Sequence, residues 1–317
     1  MDGVLVIDKP AGWTSHDVVA KVRAITRVKK VGHTGTLDPF ATGVLPLVLG
    51  RATRLTNYFQ ASDKVYRGRI RFGFATDTYD VEGVPLGEDA HPQLDAARLR
   101  EMFARCQGAV RQTLPPYSAK KVNGKPLYDY ARKGIEMAPT VKEVVIHSMT
   151  LLGVDGSHAD FELACAAGCY ARSVAHDLGR DYGCGAHLVQ LRRIRCGDFA
   201  IEGATTLTAS DGANAGAPVA EGGAQRYHPA GYFSSRVIPM GELLPEMPVI
   251  VVSGGDKERL SHGNDLNLLA ADWSSENYKL IDADGALVAV ARKVQVFDPP
   301  TEQPVRWVRM HPVLTFA

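Results

Sequence analysis

One acidic side chain, Asp38, stands alone in the stretch Gly32-His33-Thr34-Gly35-Thr36-Leu37-Asp38-Pro39-Phe40-Ala41-Thr42-Gly43-Val44-Leu45-Pro46-Leu47-Val48-Leu49-Gly50, with no other acid between Asp17 and Asp63. Pro39 drives Asp38 away from helical geometry, and the glycines permit tight or positive-φ backbone. The carboxylate is therefore expected on a rigid, non-helical loop, followed by a short buried strand or turn that includes Pro46. A carboxylate mounted beside a core suits a nucleophile or an acid/base group. The same residues also describe a plain Asp-Pro turn, and taken alone they leave both readings open.

Two further side chains have positions suited to chemistry. Tyr66 alternates with Gly68, Ile70, Phe72 and Phe74 on one side of a strand, opposite Arg67, Arg69 and Arg71, so it shares a face with core residues. Arg172, in Cys169-Tyr170-Ala171-Arg172-Ser173, falls at a strand-to-helix junction, either on the surface or paired with a carboxylate. The five cysteines, Cys106, Cys165, Cys169, Cys184 and Cys196, contain no Cys-x-x-Cys pair, which favours reduced thiols in a cytoplasmic protein. Their spacing to His176 and His187 matches no common zinc pattern.

Total charge is nearly balanced, 36 Lys plus Arg against 35 Asp plus Glu in 317 residues, but its distribution is not. Between Lys21 and Arg71 eleven basic residues face only Asp38 and Asp63, and Arg111 to Lys142 is a second basic run. Such clusters form either a solvated face or an electrostatic footprint for nucleic acid. The N-terminus lacks a basic segment followed by a long apolar one, and no apolar run approaches the roughly 20 residues that span a bilayer. Gly32 to Gly50 lacks the Gly-Lys-Ser/Thr ending of a phosphate-binding loop, which disfavours a nucleotide hydrolase.

The elements that must carry these groups follow from periodicity. Val4 to Ile7 predicts a strand, and Ser15 a cap for a helix bearing Val18, Val22 and Ile25. Leu99, Phe103 and Cys106 predict a helix ending near Gly108. Leu114 to Lys121 is too rich in Pro and Lys for core, and Pro126 can start a short helix toward Gly134. Residues 141–171 predict two strands around Asp155-Gly156, and Ser173 caps a helix ending at Gly183 to Gly185. Residues 208–231, rich in Ala and Gly, predict a flexible insertion. From Pro248 onward short strands with a turn at Asp284-Gly285 predict a small barrel-like unit.

Several of these motifs together resemble bacterial tRNA pseudouridine-55 synthases of the TruB type. They are the Asp38 stretch, Lys9-Pro10-Ala11-Gly12-Trp13-Thr14-Ser15, Pro115-Pro116-Tyr117-Ser118-Ala119, Cys169 to Gly179, and Gly185-Ala186-His187-Leu188-Val189-Gln190-Leu191-Arg192-Arg193. The similarity runs from about residue 4 to 207, and residues 247–312 resemble the family's C-terminal PUA RNA-binding domain.

The resemblance implies an α+β fold. Its catalytic domain, residues 1–246, is built on a mixed, mainly antiparallel sheet flanked by helices, and a β-barrel-like PUA domain follows at 247–317. It implies an isomerase that detaches uracil from C1′, turns it and rejoins it through C5, with no cofactor and no metal. Asp38 matches the catalytic aspartate, Arg172 its partner and Tyr66 the tyrosine that stacks on the base. His33 matches the histidine that fills space left by flipped bases, and Leu191 an apolar pocket residue. Lys9 and the arginine-rich segments would hold phosphates, with Gly32, Thr34 and Gly35 among the substrate contacts. The implied partner is the tRNA T-arm, bound by a cytoplasmic monomer without membrane or obligate protein partner. Two alternatives share these features: a guide-RNA-dependent, dyskerin-type synthase, and a tRNA-folding chaperone with secondary catalysis.

Overall fold

The two apolar runs nearest the N-terminus form strands that are buried along almost their whole length. In the computed structural model, which describes residues 1–118, 121, 122, 124–126, 130, 135, 138, 140–207, 231–270, 274–297 and 306–316, the chain begins with β1 (Gly3–Lys9), α1 (Ser15–Thr26), β2 (Val31–His33) and β3 (Thr42–Leu49). Then come α2 (Thr56–Gln60), β4 (Lys64–Phe72), α3 (Ala96–Arg105), β5 (Gly108–Thr113) and the small hairpin of β6 (Lys121–Val122) and β7 (Lys125–Pro126). The long hairpin β8 (Val141–Asp155) and β9 (His158–Cys165) leads to α4 (Ala171–Tyr182) and β10 (Ala186–Cys196). Short strands β11 (Phe199–Ala200), β12 (Thr205–Thr206) and β13 (Ile238–Pro239) complete this part.

These strands form one sheet in the order β12-β1-β3-β10-β4-β9-β8-β5, with β2, β11 and β13 pairing at the side. Only the β1–β12 and β3–β10 pairings are parallel, so the sheet is mixed and mainly antiparallel. β1 and β3 read as nearly continuous apolar runs because both of their faces are covered. Leu5, Ile7, Leu45, Leu47 and Leu49 enter the main core, while Val4, Val6, Val44 and Val48 enter a second cluster behind the sheet. Pro46 is tolerated inside β3 because its missing N–H points toward the loop, where its carbonyl accepts the Thr34 N–H at 3.1 Å.

Three local expectations shift. Thr14, not Ser15, caps α1, in a reciprocal box with Asp17. The freed Ser15 hydroxyl instead accepts the Leu37 N–H at 2.9 Å and ties α1 to the Asp38 loop. α4 starts at Ala171 with no side-chain cap, so Arg172 and Ser173 lie within its first turn, and Ser173 donates to the Thr113 carbonyl at 2.7 Å. Leu114 and Pro115 are buried rather than exposed, and Pro126 pairs with Lys121 in a hairpin. The helix expected from Pro126 to Gly134, and residues 208–230 of the expected insertion, lie outside the described residues.

The C-terminal segment forms a separate five-stranded sheet: β14 (Val249–Val251), β15 (Leu266–Ala270), β16 (Asn277–Ile281), β17 (Leu287–Phe297) and β18 (Arg306–Thr315), in the order β14-β16-β17-β18-β15. α5 (Gly254–Ser261) packs on it through the fully buried Leu260. Leu287, Val290 and Phe316 join Val4, Val6, Val44 and Val48 in the second apolar cluster, so the two sheets share a core. Each such side chain contributes about 1.5–3 kcal/mol on burial, which makes the junction a packed interface and not a tether. Among the described residues no helix is long and apolar enough to cross a membrane.

Candidate active site

Asp38 sits in the irregular segment between β2 and β3, on a cavity of about 290 Å³. The lining includes His33, Thr34, Gly35, Tyr66, Arg172, Leu191 and Arg193. Of the described lining residues Asp38 is the only acid, and 31 % of its side chain still meets solvent.

The loop is held from three sides. Ser15 pins it at Leu37, as above. Arg193 of β10, 1 % exposed, donates to the carbonyls of Val44 (2.7 Å) and Gly35 (3.1 Å). Gly43, at φ +101°, lies opposite Arg193 in the ladder, where any Cβ would come within 2.2 Å of the Arg193 carbonyl oxygen, so only glycine fits. Lys9 supplies the third tie. Expected at the phosphates, it is instead fully buried, and its ammonium donates to the carbonyls of Pro10 (2.9 Å), Trp13 (2.6 Å) and Pro39 (3.1 Å). Burial pulls its pKa down to about 8 although the Asp38 and Glu82 carboxylates oppose this. A lysine in a Pro/Gly-rich turn carries no local sign of burial. Lys9→Met should lower stability by about 2 kcal/mol or more, leaving three carbonyls unsatisfied, yet leave the salt dependence of RNA binding unchanged. A salt slope reduced by about one would return Lys9 to a phosphate.

Arg172 faces the carboxylate from α4. Its side chain is 6 % exposed, and Nη2 donates to Asp38 Oδ1 at 2.9 Å and to the Tyr117 carbonyl at 2.9 Å. Nη1 donates to the Thr78 carbonyl at 3.2 Å and lies 3.3 Å from Asp80 Oδ2. Asp80, whose side chain is only 4 % exposed, carries no mark in the sequence that sets it apart from the other acids between Asp77 and Glu101. One guanidinium therefore bridges two carboxylates, one at the cavity and one behind it. Burial pushes the Asp38 pKa up, the Arg172 charge and hydrogen bond pull it down, Asp80 pushes it up and Lys9 pulls it down; the net direction is upward.

Tyr66 forms a wall of the cavity, 9 % exposed on β4, with its pKa pushed up to about 12 by burial. Its phenol is therefore neutral at neutral pH, a flat face and a hydrogen-bonding group rather than a ready base. Leu191, paired opposite Gly68, is 7 % exposed and apolar toward the same cavity. His33 presents a ring whose Nδ1 is enclosed without a partner; burial and then the His16 and Arg193 charges lower its pKa, which favours the neutral ring. Thr34 is fully buried and lines the cavity, and Gly35 lines it beside Arg193. Gly32 does not reach it: its backbone is paired with Val48 in the β2–β3 ladder.

The basic footprint divides. Arg67 pairs with Glu162 at 2.8 Å, Arg69 holds Asp160 through two bonds at 2.7 and 2.8 Å, Arg71 pairs with Asp89, and Arg192 pairs with Asp8 at 2.8 Å. The row of arginines on β4 is thus largely neutralised by its neighbours. Arg27, Lys29 and Lys30 remain exposed beyond the end of α1. Lys120 and the side chains of Lys121 and Lys125 lie outside the described residues. Among the described residues no group of three or more His, Cys, Asp or Glu side chains is placed to hold a metal ion.

Comparison with known proteins agrees with this geometry. Residues 23–171 match the N-terminal domain of TruB family pseudouridylate synthases, and residues 172–244 match the tRNA pseudouridylate synthase B C-terminal domain. The chain is 41 % identical over 296 residues to the tRNA pseudouridine synthase B of Solibacter usitatus, covering 93 % of this chain and 96 % of that protein. It is 38 % identical to the protein of the same name from Syntrophus aciditrophicus, covering 94 % and 93 %. The fold is also that of a chain in an H/ACA RNP bound to a substrate RNA containing 2′-deoxyuridine, with TM-score 0.68, 23 % identity and 99 % and 85 % coverage. With a buried arginine holding a lone carboxylate at the cavity and relatives matched across nearly their whole length, the chain belongs to the TruB family of pseudouridylate synthases.

Proposed function

We propose that this chain converts the uridine at position 55 of tRNA, in the T-loop, to pseudouridine, and does so without a guide RNA. The observation that carries the reading is the Arg172 guanidinium fixing Asp38 at 2.9 Å on the cavity wall. In that role Asp38 is the catalytic carboxylate at the C1′–N1 bond, Arg172 keeps it ionised and aimed, and Tyr66 stacks on the base. The N1–C1′ bond breaks, the uracil turns, a C5–C1′ bond forms, and the proton lost from C5 is balanced by one gained at N1. No atom is exchanged with a second substrate.

A uridine within a folded loop must be flipped out, at a cost of a few kcal/mol. Stacking on Tyr66, worth about 1–3 kcal/mol, offsets part of it. Leu191, Thr34 and Gly35 would close around the base and the neutral His33 would fill the space it leaves. Exposed basic side chains such as Arg27, Lys29 and Lys30 would supply affinity that falls with salt and carries little sequence information. In the same reading residues 1–246 are the catalytic domain and 247–317 a PUA-type domain that adds RNA contact, in a monomeric cytoplasmic protein.

The test is to incubate the purified protein, in EDTA and without guide RNA, with an unmodified tRNA T-arm transcript and to map pseudouridine. Product at the T-loop uridine is expected. Its absence would end the stand-alone reading.

A further inference from the structure

Tyr79 immediately precedes Asp80 in the loop between β4 and α3, and His176 follows Arg172 by one turn on α4. The Tyr79 and His176 rings are stacked, 3.8 Å between centroids and 16° from parallel. Adjacent residues of the loop thus grip positions i and i+4 on one helix face, Asp80 through charge on Arg172 and Tyr79 through its ring on His176. The Tyr79 backbone is left-handed, at φ +67°, a conformation tyrosine rarely adopts. Its carbonyl accepts the Leu188 N–H at 3.0 Å, which sets the same residue against β10. A strained residue persists only where its surroundings over-determine it, and strain of this kind gathers at functional sites.

We infer that the Tyr79–His176 stack is a clip that keeps Asp80, and through it the Arg172 guanidinium, in register with Asp38, which makes Tyr79 and His176 positioning residues for the reaction. This rests on the pseudouridine-forming reading above. The clip has a consequence that mere loop packing lacks. The charged groups facing Asp38 are Arg172 from α4, Asp80 and Glu82 from the loop and Lys9 from β1. If the loop slips, Asp80 withdraws, its repulsion of Asp38 fades, and Arg172 turns wholly to Asp38. The carboxylate then ionises more readily while its aim is lost.

Tyr79→Gly removes the ring and suits the positive φ, so the loop backbone is relieved rather than strained. Single-turnover rates at saturating T-arm transcript, RNA binding and the pH–rate profile are measured together. At neutral pH Tyr79→Gly should be slower by about tenfold, as misplacement of a reacting group demands, with binding changed less than about threefold. The acid limb of its profile should move to lower pH. Tyr79→Phe should restore both rate and limb, His176→Ala should behave like Tyr79→Gly, and the double variant should be no slower than either single one. A wild-type rate in Tyr79→Gly, a slower rate with an unmoved acid limb, or additive losses in the double variant would overturn the clip. A wild-type enzyme that makes no pseudouridine on this RNA would instead remove the reading beneath it.

Discussion

Asp38→Ala is expected to lose turnover by on the order of 10⁴-fold or more, the scale seen when a group acting in a catalytic unit is deleted, while RNA binding stays within about tenfold of wild type. The two effects separate because the carboxylate lies inside the cavity and the exposed basic side chains lie elsewhere. The site should also survive the truncation. Arg172 keeps Asp80, the Tyr117 carbonyl and the Thr78 carbonyl as partners, so its charge is not left orphaned in the interior. In the wild-type enzyme the same residue sets a pH dependence whose sign is fixed. In the proposed reaction Asp38 acts as the ionised carboxylate, and its pKa lies above the ordinary carboxylate value because burial dominates. Turnover should therefore fall as pH drops through that raised value, higher on the pH scale than a free aspartate would give. Single-turnover rates over pH, with RNA binding in parallel, measure both; retained turnover in Asp38→Ala would remove it from the mechanism.

Arg172→Met should cost about 10²- to 10³-fold in rate and move the acid limb upward, because the cation that pulls the Asp38 pKa down has gone while burial and Asp80 still push it up. The direction is opposite to that expected when the loop carrying Asp80 is loosened, so the two lesions can be told apart by the same profile. Stability should also fall, by about 3–5 kcal/mol, since removing one partner strands the Asp80 charge in the interior. Arg172→Lys should not restore the enzyme. Nη1 and Nη2 serve different carboxylates and two backbone carbonyls, a fork that a single ammonium cannot reproduce. A lysine variant with the wild-type rate and acid limb would refute this division of labour. Thermal unfolding and the pH–rate profile give the two readouts.

Much of this arrangement is legible from short stretches of chain. Pro39 and the surrounding glycines predict the irregular mount of Asp38, and the loop is there. The alternation from Tyr66 predicts a strand with Tyr66 on the core side, and β4 places it so. The hairpin turn at Asp155-Gly156 and the helix end at Gly183 follow from the conformational preferences of glycine alone. The cap of α1 falls one residue before the expected Ser15: both Thr14 and Ser15 can cap, but the Ser15 hydroxyl is engaged at Leu37, 22 residues away, and Thr14 pairs with Asp17.

What short stretches of chain do not show depends on partners distant in sequence. Arg67 and Arg69 look like phosphate binders until β9 brings Glu162 and Asp160 opposite them, a register decided by hydrogen bonding between strands some 90 residues apart. Lys9 looks exposed until Pro39 folds over it. Asp80 looks like one surface acid among several until α4 presents Arg172 to it.

Most of the elements, the family and the irregular loop that carries Asp38 are legible in the sequence by itself, since these rest on backbone preferences and a dense local motif. Only the tertiary structure decided how that carboxylate is governed: Arg172 shared with Asp80, Lys9 and Arg193 spent on carbonyls of the loop. Electrostatic energy depends on distance and burial, and neither is written in the spacing of residues along the chain.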